Sequence, residues 1–170
     1  SNIIPLEKIR EISRVQLYAL ELLEIETLAR LNSGTTSPHP ELIGLLANEV
    51  YSKFREYREE IGYHTVLVLL TTIEALIKVD FLEKRRKKGP FRTLYSSRGD
   101  RVPLEEILSA WILSRPVEKQ LFSQYKDAVR LRNWLAHGRY FDQNLGRNEY
   151  SIDYIYDIGM RIQLLIRLSL

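Results

Sequence analysis

The stretch YHTVLVLLTTIEALIKVDFLEKRR, residues 63–86, decides the fold of this chain. Wound at 3.6 residues per turn, it is apolar on nearly every side, and a helix of that kind is buried at the centre of a helical protein. Its longest largely apolar run, residues 66–73, is followed by Glu74 and is far too short to span a bilayer. We therefore predict that residues 63–86 form the central helix of an all-α domain.

Helical periodicity extends over the rest of the chain, and no segment alternates as a β-strand would. The pattern predicts five further helices, at residues 6–31, 41–60, 103–114, 116–138 and 151–168. Ile12 is one of the apolar positions of the first of these, Gly138 is the expected C-terminal cap of the fourth, and Ser151 is the expected N-cap of the fifth. Gly62 either separates the second helix from the central one or lies inside one continuous helix. The basic stretch at residues 89–102 is predicted to be irregular. Long helices with short connections indicate an antiparallel up-and-down helical bundle of about five to six helices.

Length and composition place the chain among globular domains. It has 170 residues, 45% of them hydrophobic and 28% charged, which predicts a single domain over residues 1–170. Residues 1–40 would be an N-terminal helix and loop added to a bundle of residues 41–170. The absence of cysteine excludes a disulfide scaffold and any thiolate chemistry, and it suits a reducing cytoplasm. The formal charge of +3 permits an RNA or DNA partner.

The segment RNWLAH, residues 132–137, lies near the end of the helix predicted at residues 116–138. On a helical wheel, Arg132 falls near the middle of an apolar arc. The arc is formed by Leu121, Phe122, Tyr125, Ala128, Val129, Leu135 and Ala136. A guanidinium on a core-facing stripe is costly unless it is paired or lines a cleft.

A polar stripe runs beside this arc, with members at spacings of four, three and four: Lys126, Arg130, Asn133 and His137. Asn133 and His137 are one turn apart and can touch. Arg132 and His137 are five residues apart and flank one edge of the helix, so a phosphate bound between them would be contacted from two sides. Arginine stabilises negative charge, and histidine moves protons near neutral pH, so the pattern fits phosphodiester chemistry without a metal.

Glu74 offers a structural explanation for Arg132. Between residues 61 and 78, Glu74 is the only charged side chain when His64 is neutral. It lies on the most apolar helix of the chain. A Glu74–Arg132 pair would satisfy both charges with no functional gain. The same pair could also orient Arg132 for catalysis. The residues alone leave both interpretations open.

The RNWLAH segment resembles the motif of the HEPN superfamily, the higher eukaryotes and prokaryotes nucleotide-binding domain. That motif is an Arg, four to six residues and a His, with Asn, Asp or His commonly right after the Arg. Arg132, Asn133 and His137 fill these positions with four intervening residues. The placement of the motif before a C-terminal helix, and after a helix with a lone buried acid, strengthens the resemblance.

The resemblance implies a function that composition and spacing do not. Many members of the superfamily are metal-independent endoribonucleases that dimerise, with two motifs meeting across a shared cleft. They occur in toxin–antitoxin, phage-defence or RNA-processing systems, which implies a cognate antitoxin or regulator as a further partner. His137 would be the general base or general acid, and Arg132 would stabilise the charge on phosphorus. Asn133 would position His137 or a phosphate oxygen. Glu74 would orient Arg132. Other members only bind nucleotides or proteins, so the alternative is a non-catalytic dimeric interaction module or nucleotide- or RNA-binding module.

Basic residues outside the motif are candidates for RNA binding. Five are consecutive at the end of the central helix, and three lie on or after the motif helix: Lys84, Arg85, Arg86, Lys87, Lys88, Lys126, Arg130 and Arg139. The consecutive run could track an RNA backbone, or it could be a solvated helix end whose cations favour the helix dipole.

The three histidines have no carboxylate at ligand spacing, so we expect neither a metal nor a cofactor. With no signal peptide and no membrane-spanning run, we expect a cytoplasmic protein.

Overall fold

The structure, a computed structural model, describes residues 3–86, 89–137 and 150–168. Over these residues it contains no strand and consists of six α-helices and two short 3-10 helices, which confirms the all-α fold class. The α-helices are α1 Leu6–Asn32, α2 Ala47–Lys84, α3 Pro90–Arg98, α4 Leu104–Ser114, α5 Lys119–Ala136 and α6 Ile152–Arg167. The 3-10 helices are Pro40–Leu42 and Pro116–Glu118. No helix within the described ranges combines the length and apolar character that a bilayer crossing requires.

The central helix is longer than its apolar part. α2 runs without interruption for 38 residues through Gly62, so the second and central predicted helices are one. The predicted helix start at residue 41 is wrong. Pro40–Leu42 form a separate 3-10 turn, and Gly44 with φ +79° turns the backbone in a conformation that other residues rarely adopt, before α2 begins.

The prediction of an irregular segment at residues 89–102 is also wrong, because α3 forms within it. Pro90 presets the first helical φ, and Gly99 with φ +66° ends the helix while its N–H donates to the Tyr95 carbonyl at 2.7 Å. Phe91 is buried against Trp111 of α4, with ring centroids 5.6 Å apart. Tertiary contact at this aromatic stabilises a helix too short to show a periodic pattern.

The last three helices follow their predicted positions closely. α4 and α6 begin within one residue of the predicted starts. Ser151 caps α6 as expected, since its hydroxyl accepts from the Tyr154 N–H at 3.2 Å. α5 begins after a 3-10 turn and ends at Ala136, and the predicted cap at Gly138 lies outside the described residues.

The chain divides into two compact units, an N-terminal unit of Glu7–Thr65 and a C-terminal unit of Ser1–Leu6 with Val66–Leu170. The division falls inside α2, whereas the sequence pattern places a boundary at residue 40. The single domain over residues 1–170 therefore stays a prediction.

The N-terminal unit has a small core of its own. Leu42, Val50 and Phe54 are buried and pack with partly buried leucines of α1. Glu24 of α1 accepts from Arg58 of α2 at 2.5 Å. Ile12, which the periodicity places among the apolar positions of the first helix, is exposed.

The C-terminal unit contains the larger core, to which every helix of that unit contributes. Its most buried side chains include Leu69, Leu70, Ile73, Ile77, Trp111, Phe122, Tyr125, Ile155 and Ile162. α6 approaches α2 closely at Gly159, where an added Cβ would lie 2.9 Å from Ile73 Cδ1. This core places α5, which carries the candidate motif, within the C-terminal unit.

Candidate functional site

Tyr125 anchors α5 to α2. Its side chain is fully buried, and its hydroxyl donates to the Leu70 carbonyl at 3.1 Å. Burial raises the pKa of the Tyr125 phenol, with a smaller rise from the negative charge of Glu74 and an opposing effect of Arg132. Arg132 lies two turns further along the same face of α5, so the anchor also positions the guanidinium.

The apolar arc of α5 is buried over most of its predicted length: Leu121, Phe122, Tyr125, Ala128 and Val129 are buried. Leu131 is buried as well, although the wheel did not include it. Leu135 is half-buried and Ala136 is exposed, so the prediction of a core position is wrong for Ala136. α5 ends at that residue, where the core no longer covers the helix.

The predicted pair between Glu74 and Arg132 is confirmed. Arg132 Nη2 donates to Glu74 Oε2 at 2.6 Å, with 24% of the arginine side chain and 16% of the glutamate side chain exposed. Arg132 Nε is buried and has no hydrogen-bond partner among the described residues. The carboxylate therefore fixes the direction of the guanidinium and leaves some of its N–H donors unused.

Lys78 belongs to the same cluster, and the sequence interpretation missed it. Its Nζ lies 2.5 Å from Glu74 Oε1, and 49% of its side chain is exposed. Each oxygen of Glu74 is thus bound by a different cation. The spacing of a Glu four residues before a Lys on one helix was the available signal.

Asn133 and His137 lie at the solvent-exposed end of α5. Both are exposed, and the His137 N–H donates to the Asn133 carbonyl at 3.0 Å. Within residues 89–137, no side-chain hydrogen bond joins Arg132, Asn133 and His137. The structure thus brings Arg132 to Glu74 and leaves the amide and imidazole side chains accessible to a ligand.

The polar stripe of α5 is exposed as the wheel predicts, since Lys126 and Arg130 face solvent together with Asn133 and His137. Arg139, the remaining basic candidate of this region, lies outside the described residues. The described part of the stripe therefore presents two cations beside the two motif side chains.

The described part of the basic run at the end of α2, residues 84–86, is not one exposed surface. The expectation is wrong at Lys84, which is buried with its Nζ 2.5 Å from Asp80 Oδ1 and 3.8 Å from the centroid of the Trp111 ring. Burial of the aliphatic stem and these two partners keep its ammonium inside the C-terminal unit. Lys84 therefore does not belong to a surface that could track RNA.

The other basic residues of the run differ in their contacts and in their exposure to solvent. Arg85 donates to Asp100 at 2.9 Å and lies over the Tyr95 ring at 4.9 Å. Arg86 is exposed, and Lys87 and Lys88 lie outside the described residues. Of the described part of the run, Arg86 has the most open side chain.

No group of three or more metal-ligating side chains with suitable geometry is found in residues 3–86, 89–137 and 150–168. No family model, curated protein or solved structure matches this chain. The chemistry available at this site is that of five side chains: Glu74, Lys78, Arg132, Asn133 and His137.

Proposed function

We propose that this chain is a metal-independent endoribonuclease of the HEPN type. The observation that carries the proposal is the orientation of Arg132 by Glu74, within a turn and a half of the exposed His137. An oriented guanidinium with unused donors stabilises developing charge at little reorganisation cost. An accessible imidazole moves protons near neutral pH. These are the two groups that RNA cleavage requires, because RNA carries its own nucleophile.

In the proposed reaction the 2′-oxygen of RNA attacks the adjacent phosphorus. His137 acts as general base or general acid, taking the proton of the 2′-hydroxyl or giving one to the 5′-oxygen. The bond between 2′-oxygen and phosphorus forms as the bond between phosphorus and 5′-oxygen breaks. Arg132 stabilises the charge on the phosphoryl oxygens, and Asn133 positions His137 or one of those oxygens. The products are a 2′,3′-cyclic phosphate and a 5′-hydroxyl.

The proposal includes a homodimer in which two motifs share a cleft. Each motif contains one histidine, whereas the reaction uses both a base and an acid, so a second copy would supply the missing group. The exposed polar stripe of α5 leaves His137 accessible to such a copy. A cognate antitoxin or regulator and a cytoplasmic setting complete the proposed context.

A second candidate function is a non-catalytic dimeric module that binds a partner protein, a nucleotide or RNA. The pairing of both Glu74 oxygens with cations favours it, because the largely buried carboxylate is then neutralised within the contact between α2 and α5 and needs no ligand. In that case Arg132 would be a structural residue, and His137 an exposed residue at a helix end.

Cleavage of a mixed single-stranded RNA in EDTA tests the proposal. The comparison includes the native protein, His137→Ala, Arg132→Ala and, as a matched control, His64→Ala, which changes another exposed histidine. We expect cyclic-phosphate ends from the native protein and from His64→Ala, and loss of cleavage in the folded His137→Ala and Arg132→Ala variants. DNA of the same sequence should not be cleaved.

Absence of cleavage by a well-folded native dimer would favour the binding module. Unfolding of Arg132→Ala would assign Arg132 a structural role. Arg132→Lys, which keeps the charge but loses the planar fork, then separates folding from catalysis.

A further inference from the structure

Lys78 is a second cation at the Glu74–Arg132 pair, and it comes from a different helix than Arg132. Its ammonium meets Glu74 Oε1 at 2.5 Å, while the guanidinium meets Oε2 at 2.6 Å. The carboxylate therefore holds two positive groups next to each other, where their mutual repulsion would otherwise keep them apart.

The cluster carries more positive than negative charge. One carboxylate against an ammonium and a guanidinium leaves a formal excess of one positive charge. Lysine has three N–H donors and arginine five, so one bond from each to Glu74 leaves most donors unused. Arg132 Nε is buried, but both side chains reach solvent, which allows a ligand to take up the exposed donors of the guanidinium and the ammonium.

A backbone phosphate of a nucleic acid matches this cluster. It carries one negative charge and several acceptor oxygens, and arginine and lysine are the side chains that contact such groups most often. A purely structural role explains Lys78 less well, because an exposed lysine paired within one helix contributes little to stability.

We propose that Lys78 and Arg132, held together by Glu74, form a two-cation site for a backbone phosphate of single-stranded RNA, with Lys78 as a substrate-positioning residue. The inference rests on the proposed function for the identity of the strand. The cations recognise the phosphate, and cleavage alone needs the 2′-hydroxyl. A 2′-deoxy strand should therefore bind at the site without being cut.

The test measures binding of a fluorescent single-stranded oligodeoxynucleotide by anisotropy over a series of salt concentrations. For Lys78→Gln we expect affinity at low salt to fall by about 3- to 10-fold, and the slope of log Kd against log salt to fall by about 0.7. Lys78→Arg, which keeps the charge, should bind as the native protein does.

Lys8→Gln is the matched control. Lys8 is 54% exposed and pairs with Glu11 on its own helix at 3.0 Å, so this variant loses the same charge from a similar environment in the N-terminal unit. We expect its affinity and salt slope to equal those of the native protein. Thermal melting of each variant verifies that it is folded.

The possible failures are distinguishable. Native-like binding by Lys78→Gln, an equal loss in Lys8→Gln, or no binding by the native protein would each overturn the two-cation site. If RNA is cleaved but Lys78→Gln binds normally, the proposed function stands and the site does not. If the oligodeoxynucleotide binds through Lys78 but RNA is never cleaved, the site stands and the endoribonuclease proposal does not.

Discussion

Arg132 of α5 and Glu74 of α2 form a hydrogen bond of 2.6 Å across 58 residues of sequence. Both side chains are largely withdrawn from solvent, so each charge depends on the other. Removing one partner of such a pair costs more than the pair contributes, because the remaining charge has been partly desolvated. The pair therefore links the packing of the C-terminal unit to the orientation of the candidate site.

Glu74→Gln should separate these two roles. It keeps the shape of the side chain but leaves Arg132 and Lys78 without a counter-charge, so we expect the free energy of unfolding to fall by about 1–3 kcal/mol. We also expect RNA cleavage by the folded variant to fall about 10- to 100-fold, since the guanidinium loses its orientation. Urea denaturation and initial cleavage rates measure the two effects.

Glu24→Gln is the matched control for that variant. Glu24 accepts from Arg58 at 2.5 Å and is 12% exposed, but it lies in the N-terminal unit. We expect Glu24→Gln to lower the free energy of unfolding about as much as Glu74→Gln does, while its rate of RNA cleavage stays at the native level. Equal losses of cleavage in Glu24→Gln and Glu74→Gln would assign the effect to stability alone.

Lys84→Met should strongly destabilise the protein. Asp80 and Lys84 are both almost completely buried, and the substitution leaves the carboxylate without its counter-charge. We expect a loss of about 3–5 kcal/mol in the free energy of unfolding, most of which the double variant with Asp80→Asn recovers. Lys78→Met, on the same helix but half-exposed, should cost less than about 1 kcal/mol. A native-like melting curve for Lys84→Met would refute this account.

The pH dependence of stability should report on Asp80. Burial raises its pKa above the ordinary value of 3.8, with a smaller rise from the nearby charge of Glu83, although the hydrogen bond and charge of Lys84 lower it. Asp80 Oδ2 is buried without a hydrogen-bond partner among the described residues, so desolvation outweighs the effect of Lys84. The folded chain then holds the Asp80 proton where the unfolded chain has released it. The stabilising contribution is complete below pH 3.8 and is lost as the pH rises through the raised pKa.

The measurement is urea denaturation of the native protein and of Asp80→Asn between about pH 3.5 and about pH 7. We expect the difference in unfolding free energy, native minus variant, to decrease as the pH rises. An increase over the same range would show that Lys84 lowers the pKa of Asp80 more than burial raises it.

Two glycine-to-alanine substitutions should change the stability of the protein in opposite directions. A Cβ at Gly159 would lie 2.9 Å from Ile73 Cδ1 and from Leu6 Cδ1, so Gly159→Ala should destabilise the protein by about 1–2 kcal/mol despite its better helix propensity. Among the described residues, apart from the neighbours of Gly62 in the chain and the backbone of its own helix, no atom lies within 4 Å of a Cβ added there, so Gly62→Ala should stabilise the protein by about 0.5–1 kcal/mol. Adding Ile73→Val should relieve part of the loss in Gly159→Ala. Thermal melts measure all three.

Local sequence signals predicted much of the fold and part of the site. The helical periods of α4, α5 and α6 and the cap at Ser151 depend on residues within one or two turns, so they are legible in the chain itself. The need of Glu74 for a partner could also be inferred, because a single acid on an apolar helix must be paired. α3 was not predicted because its stability depends on the packing of Phe91 against Trp111 of α4, which is a contact between helices.

By itself, the sequence determined an all-helical chain with an apolar central helix at residues 63–86 and an Arg-to-His motif near the end of the next-to-last helix. Only the tertiary structure decided that Lys84 is buried on Trp111, that Arg132 reaches Glu74 with a defined geometry, and that Lys78 shares that carboxylate. The physical reason is range. Helix formation is governed by neighbours a few residues apart, whereas the burial and pairing of a charge depend on side chains that packing brings together from distant parts of the chain.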